Sequence, residues 1–310
     1  MEMLEPNSAP SGDRSTTQAM TEKPRVVLTI AGFDPSSGAG VTADVKTIAA
    51  HACYGVACLT AMTVQSTSGV KRVEAVDPAI VTETLEELVR DIDIAAVHIG
   101  MLRSAKVAEA VADFLTVPQS AAKSNQPGNR ARLPNLVLDP ILRSSSGAEL
   151  LDAAGTRLLI DRLIPMVDVV TPNVDEAAAL TGCKVIDLDG MKAAAAKLHE
   201  MGAPAVIVTG GHLDKAIDLL SFTTKRGIEQ EIFKAEKQRS SSTHGTGCAF
   251  ATALACHLAL DRGLAEAALL AKTYVTAAIS YGHPLGKGTG PVHHLYRMNQ
   301  PRRAAGSGGE

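Results

Sequence analysis

The chain has 310 residues, a formal net charge of −3, 45% hydrophobic residues and 3% aromatic residues with no Trp. Near charge balance argues against a general nucleic-acid binder, and the scarcity of aromatics argues against a base-stacking platform. The hydrophobic share is that of a globular, core-forming chain. Residues 1–24 carry no apolar h-region, so no signal peptide is read there and the segment is expected as a disordered tail. No run of about 18 apolar residues occurs, so neither a membrane span nor a membrane partner is expected, and the chain is expected to be cytoplasmic.

The first structured element is RVVLTIA, residues 25–31, a continuous apolar run of the kind seen in strands buried on both faces. GFDPSSGAG follows, and after it VTADVKTIAAHA has helical character. A strand, a glycine loop and a helix make the opening of a βαβ unit. Further strands are predicted at 56–65, 94–101, 135–139, 167–171 and 203–210. Helices are predicted between them at 78–90, 105–116, 174–181 and 190–201. Segments 217–224 and 228–235 read as an antiparallel pair around a turn at 225–227. The last third is helical, at 246–260 and 265–281. This rhythm predicts an α/β fold with a doubly wound, mostly parallel sheet. Residues 119–134 are polar and Pro/Gly-bearing, as in a mobile surface-loop insertion, and the C-terminal tail reads as flexible.

The five cysteines, Cys53, Cys58, Cys183, Cys248 and Cys256, form no CxxC pair, so neither a disulfide framework nor a zinc site is read. In open α/β sheets the ligand crevice lies beyond the C-terminal strand ends. Four segments there hold unusual residues: AGFDPSSGAG, HIGM, TPNVDE and STHGTGCAF. In the last, Gly245 and Gly247 flank Thr246 just before a long alanine-rich helix. Consecutive N–H groups at a helix start can hold an anion such as a migrating phosphoryl group, and Cys248 in the first turn is expected to have a lowered pKa. A plain glycine cap over a buried thiol fits equally well. Neither GxxxxGK[ST] nor GxGxxG after the first strand is present, so a nucleotide would need the 245–248 loop for its phosphates.

LTIAGFDPSSGAGVTADVKT, LTAMTVQST, IGML, VLDPIL, TPNVDEAAAL, GGH, THGTGC and GPVHHL occur in one order over residues 25–297. In this the chain resembles the hydroxymethylpyrimidine/phosphomethylpyrimidine kinases of thiamine biosynthesis, in the ribokinase-like superfamily. The resemblance implies a three-layer αβα kinase domain over 25–297, with residues 298–310 as a tail. It also implies ATP as donor, Mg²⁺ as cofactor and a homodimer. Its two reactions phosphorylate 4-amino-5-hydroxymethyl-2-methylpyrimidine (HMP) on its hydroxyl and then HMP phosphate to the diphosphate.

By the same resemblance Gly32 and Asp44 lie by the substrate pocket, and Gln65 bonds the aminopyrimidine, an amide offering both donor and acceptor. Thr63, Met101 and Ile141 form walls. Asn173 and Glu176 match an NxxE element on the nucleotide and Mg²⁺ side; a helix cap by the same two residues is also compatible. Asp139 supports the metal or ATP, and Gly210 and Gly211 belong to the nucleotide loop. Cys248 stands where sugar-kinase relatives carry an aspartate base, so a thiolate there is expected to take the hydroxyl proton. Thr209 replaces a lysine common in relatives, leaving Lys46, Lys71, Arg103 and Arg143 as substitutes. Three rival functions compete: a pyridoxal kinase, a cysteine hydrolase pairing Cys248 with His244, and a silent HMP-binding protein.

Overall fold

The structure, a computed structural model, describes residues 23–116, 132–144, 146–211, 216–235 and 240–299. The predicted N-terminal tail up to residue 22, most of the 119–134 insertion and the C-terminal tail from residue 300 lie outside the described residues.

Strand β1, Val26–Phe33, is buried over seven of its eight residues. Its side chains alternate between two cores, Leu28 and Ile30 in one and Val27 in the other, as a strand with helices on both faces requires. Around it the sheet takes in β2 (Tyr54–Ser66), β3 (Gly69–Ala75), β4 (Ile94–Ile99), β5 (Leu136–Leu138), β6 (Val169–Val170), β7 (Ala205–Gly210), β8 (Ala216–Thr224) and β9 (Gly227–Ala235). The order is β3-β2-β1-β4-β5-β6-β7-β8-β9. From β2 to β7 neighbouring strands are parallel; β3, β8 and β9 add antiparallel edges.

One face is covered by α2 (Pro78–Asp91), α3 (Ala105–Thr116), α4 (Ala153–Leu158), α5 (Val174–Thr181) and α6 (Leu188–Glu200). The other carries α1 (Gly40–Ala50), α7 (Thr246–Ala259) and α8 (Leu264–Ser280). The helix starts are written locally. Asp77, Asp152, Asn173 and Asp187 each accept a first-turn N–H at the head of α2, α4, α5 and α6. The predicted three-layer αβα arrangement is therefore observed. Two elements were not expected: the hairpin partner β3, and α4 with the π and 3-10 turns that extend it to Met166.

The strand β2 carries one irregularity that matters for the site. Its pairing with β1 steps from Ala31↔Leu59 to Phe33↔Met62, one extra residue on β2. Thr60 and Ala61 are both fully buried there, and Leu59, Met62 and Val64 are all exposed. A bulge of this kind exchanges the two faces of a strand beyond it.

Candidate active site

A cavity of about 740 Å³ opens at the C-terminal ends of the parallel strands, against the starts of α5 and α7. Because of the bulge, Thr63 and Gln65 line it rather than facing outward. Thr63 Oγ1 lies 3.0 Å from the Phe33 carbonyl oxygen and 3.2 Å from Gln65 Oε1. Met101, Ala61 and Leu150 form a small apolar cluster at this end, with Ile141 packed on it. Gly32 leaves room for that packing: a Cβ there would sit 2.1 Å from Met101 Cε, and the flexible methionine would have to move aside. Gly32, Thr63, Gln65, Met101 and Ile141 are thus brought together as one wall.

The opposite wall is the start of α7. Gly245 caps that helix at φ +81 with no side-chain hydrogen bond, and Gly245, Thr246, Gly247 and Cys248 all line the cavity. The first N–H groups of a helix lack intrahelical acceptors, so the lining here is rich in backbone donors.

Cys248 departs from expectation. Burial, followed by the negative charges of Asp139 and Asp44, pushes its thiol well above the ordinary range. Helix position alone predicts a lowered value; desolvation among carboxylates overrides it. The raised value favours the thiol over the expected thiolate near neutral pH. Iodoacetamide at about pH 8 is expected to modify half-buried Cys183 well before Cys248, because the thiolate is the nucleophile. Peptide mass mapping checks the order, and modification first at Cys248 would restore a thiolate.

Between the two walls stand two buried acids. Asp139 follows β5, and burial pushes its pKa up to about 7, with His98 pulling against that. Its Oδ2 has no hydrogen-bond partner, and a Cβ on Gly247 would lie 3.7 Å from that atom. Burial, then the nearby Asp139, also drives Glu176 well above its usual value. Glu176 closes a capping box: its Oε2 accepts from Asn173 N at 2.9 Å while Asn173 Oδ1 accepts from Glu176 N. An orphaned carboxyl oxygen beside a helix start is unfavourable for an anion alone and fits an anion that arrives with a cation. Among the described residues no group of three or more His, Cys, Asp or Glu is arranged to hold a metal. Two carboxylates completed by water and phosphate oxygens suit Mg²⁺, which seldom uses an all-protein cage.

Three predicted site residues fall elsewhere. Asp44 does not line the cavity. It is fully buried behind it, accepting from Thr29 Oγ1 at 2.7 Å and Thr252 Oγ1 at 2.8 Å, with His98 Nδ1 at 3.3 Å. Its place on the buried side of α1 gives it a scaffold role, tying α1 to β1, β4 and α7. Gly210 is buried and donates its N–H to Asp218, and Gly211 is exposed; neither lines the cavity, whereas Thr209 and Asn173 do. Of the four candidate cations, Arg143 lines the cavity, and Lys71 and Arg103 do not. Lys46 also lies off the wall and donates to the Ser37 carbonyl at 2.7 Å.

One pair was missed from the sequence. Asp34 and His244 both line the cavity, with His244 Nε2 2.8 Å from Asp34 Oδ2. Burial works against the Asp34 anion, yet bonds from His244 and Ser36 hold its carboxyl below the usual range. The acid in GFDP followed by Ser and Gly was a local signal for a turn; its partner 210 residues away was not. The same bond engages His244 Nε2 with Asp34, not with the Cys248 thiol of a hydrolase pair.

Comparison with known proteins agrees with this geometry. A family model described as phosphomethylpyrimidine kinase matches residues 34–293. The chain is 40% identical over 278 residues to the thiamine biosynthesis bifunctional protein ThiED of Geobacter sulfurreducens, a match to 89% of this chain and 53% of that protein. It thus spans about half of that relative's length. It is 38% identical over 278 residues to the hydroxymethylpyrimidine/phosphomethylpyrimidine kinase of Streptomyces coelicolor, covering 89% of this chain and 97% of that one. An ADP complex of Bacillus subtilis pyridoxal kinase is similar in structure, with a TM-score of 0.76, 31% identity and coverage of 89% of this chain and 100% of that one. Fold and site together define a small-molecule kinase of the ribokinase-like class. The chain belongs to the phosphomethylpyrimidine kinase family.

Proposed function

We propose that this kinase uses ATP and Mg²⁺ to phosphorylate HMP on its hydroxymethyl group and then converts HMP phosphate to the diphosphate. The observation that carries the reading is that one cavity joins the Thr63–Gln65 wall to the open start of α7, with two buried acids between. An aminopyrimidine suits the amide end, its methyl group suits the Met101 cluster, and phosphoryl oxygens suit the helix amides. Asp139 and Glu176 would hold the magnesium, with Asn173 and Thr209 on the nucleotide side. A divalent cation there would neutralise charge on the transferred phosphoryl group. With Cys248 protonated, the site works through positioning and charge, and the second step starts from an oxygen that is already anionic.

Among the described residues no helix is long and apolar enough to cross a membrane, and the reading is of a cytoplasmic enzyme. The exposed apolar row Leu59, Met62 and Val64 supports a homodimer through β2. The structural likeness to a pyridoxal kinase supports a second reading, in which pyridoxal is also taken. Incubation with Mg-ATP and either HMP or pyridoxal, read by mass detection, tests both. Mono- and diphosphates of HMP are expected at the higher kcat/KM; phosphorylation of pyridoxal alone would overturn the assignment.

A further inference from the structure

We propose that His244 and Asp34 are positioning residues that lock the polarity of the Gln65 amide and so make the site select a 4-amino over a 4-oxo pyrimidine. The proposal rests on the reading above, in which Gln65 grips the ring.

The argument is a count of protons. Asp34 Oδ1 accepts from Ser36 N and Ser36 Oγ, and Oδ2 accepts from Ala39 N at 3.0 Å. A carboxylate so surrounded by donors only accepts. His244 Nε2, at 2.8 Å from Oδ2, must therefore carry a hydrogen. That nitrogen also lies 3.3 Å from Gln65 Nε2. An N–H cannot receive a bond from an amide NH₂, so the proton count calls for the amide turned by a half rotation from its placement in the structure, with Oε1 toward His244.

Thr63 makes the same demand from the other side. Its hydroxyl hydrogen goes to the Phe33 carbonyl at 3.0 Å, because a carbonyl can only accept. Thr63 Oγ1 then has only lone pairs to offer the amide end 3.2 Å away, where the structure places Gln65 Oε1. The amide NH₂ must face it. Two independent neighbours thus require one orientation, Oε1 toward His244 and Nε2 toward Thr63.

Each amide end keeps one unused valence: a lone pair on Oε1 and an N–H on Nε2. Side by side, and with C4 of the ring on the His244 side, they match a ring edge with an amino donor next to a bare ring nitrogen. A 4-oxo ring presents the inverse, an acceptor next to an N–H. A freely turning amide accepts either edge; a locked one leaves both partners of the inverse edge unpaired.

The lock is stiff. A Cβ on Gly38 would lie 2.2 Å from His244 Cδ2, so the β1–α1 loop packs directly on the imidazole. The His244 backbone is pinned by its N–H to the Gly290 carbonyl at 3.0 Å and by Val292 N to its own carbonyl at 3.2 Å.

The test compares kcat/KM for HMP and for its 4-oxo analogue, 5-hydroxymethyl-2-methylpyrimidin-4-one, in the wild type, His244→Phe and His244→Gln. A ratio measured in one preparation is unaffected by the fraction folded. The wild type is expected to prefer HMP by about a hundredfold or more. His244→Phe, with no donor for the amide, should lose about tenfold or more of that preference. His244→Gln, whose NH₂ can still stand between Asp34 and Gln65, should keep most of it. An unchanged ratio in His244→Phe, or an equal loss in both variants, overturns the lock while leaving HMP as the substrate. A wild type that phosphorylates neither pyrimidine overturns the functional reading and the lock with it.

Discussion

Alanine at Gly245 is expected to lower kcat by about a hundredfold or more, with far less effect on folding. Two costs coincide there. The residue sits at φ +81, a conformation that costs an L side chain roughly 1–2 kcal/mol. Its new Cβ would also lie 1.8 Å from the Gly38 carbonyl oxygen. That obstacle is backbone, so no rotamer change relieves it and one loop must shift. The β1–α1 loop holds Asp34, and the α7 loop holds His244 and the helix amides, so either shift misplaces both walls of the cavity. Gly182 supplies the control: it caps α5 at φ +72 with nothing near its would-be Cβ. Alanine there should cost about 1 kcal/mol of stability and leave kcat near wild type. Steady-state kinetics with thermal melts separate the two cases, and a Gly245→Ala enzyme of normal kcat would remove the anion-site role of this loop.

Asp139→Asn is expected to reduce magnesium-dependent turnover by about a hundredfold while making the metal-free protein more stable near pH 8. The carboxyl titrates at about 7 in the fold against 3.8 for the ordinary group, because burial raises it. Between those values the folded chain keeps a proton that the unfolded chain has released. The stability from this group is therefore complete below about pH 4, falls as pH rises through about 7 and is flat beyond. A neutral amide escapes that loss. Metal binding runs the other way, since it needs the deprotonated carboxylate. The rise in melting temperature on adding Mg²⁺ should be larger near pH 8 than near pH 6 in the wild type, and largely absent in Asp139→Asn. Equal magnesium-induced shifts in both proteins at both pH values would mean that Asp139 does not hold the cation.

The parallel core was legible because burial on both faces leaves a chemical trace. Residues 105–116 and 174–181 form helices with the bounds their patterns imply, and the strands differ by only a few residues at their ends. The hairpin strand β3 left little trace: GVKRVEA is a half-solvated edge whose charges mask its alternation. The α4 region was obscured by Gly155 and Pro165, and by a helix that changes its winding twice. At the site, glycines and the residues beside them were readable because each meets a local backbone need. Asp44 was misjudged because a buried carboxylate reads the same whether it faces a ligand or two threonines. The raised pKa values of Cys248 and Asp139 depend on groups assembled from α1, β4, β5 and α7, and no local window contains that sum.

The additional residue in β2 has a consequence for how this chain tolerates change. Upstream of Thr60 the strand is an ordinary ladder; downstream, every side chain owes its direction to that one insertion. Removing a single codon there would leave the sheet, both cores and the start of α7 in place. It would turn Thr63 and Gln65 toward bulk water and Met62 and Val64 into the cavity. The resulting protein would fold as a kinase scaffold that has lost its substrate.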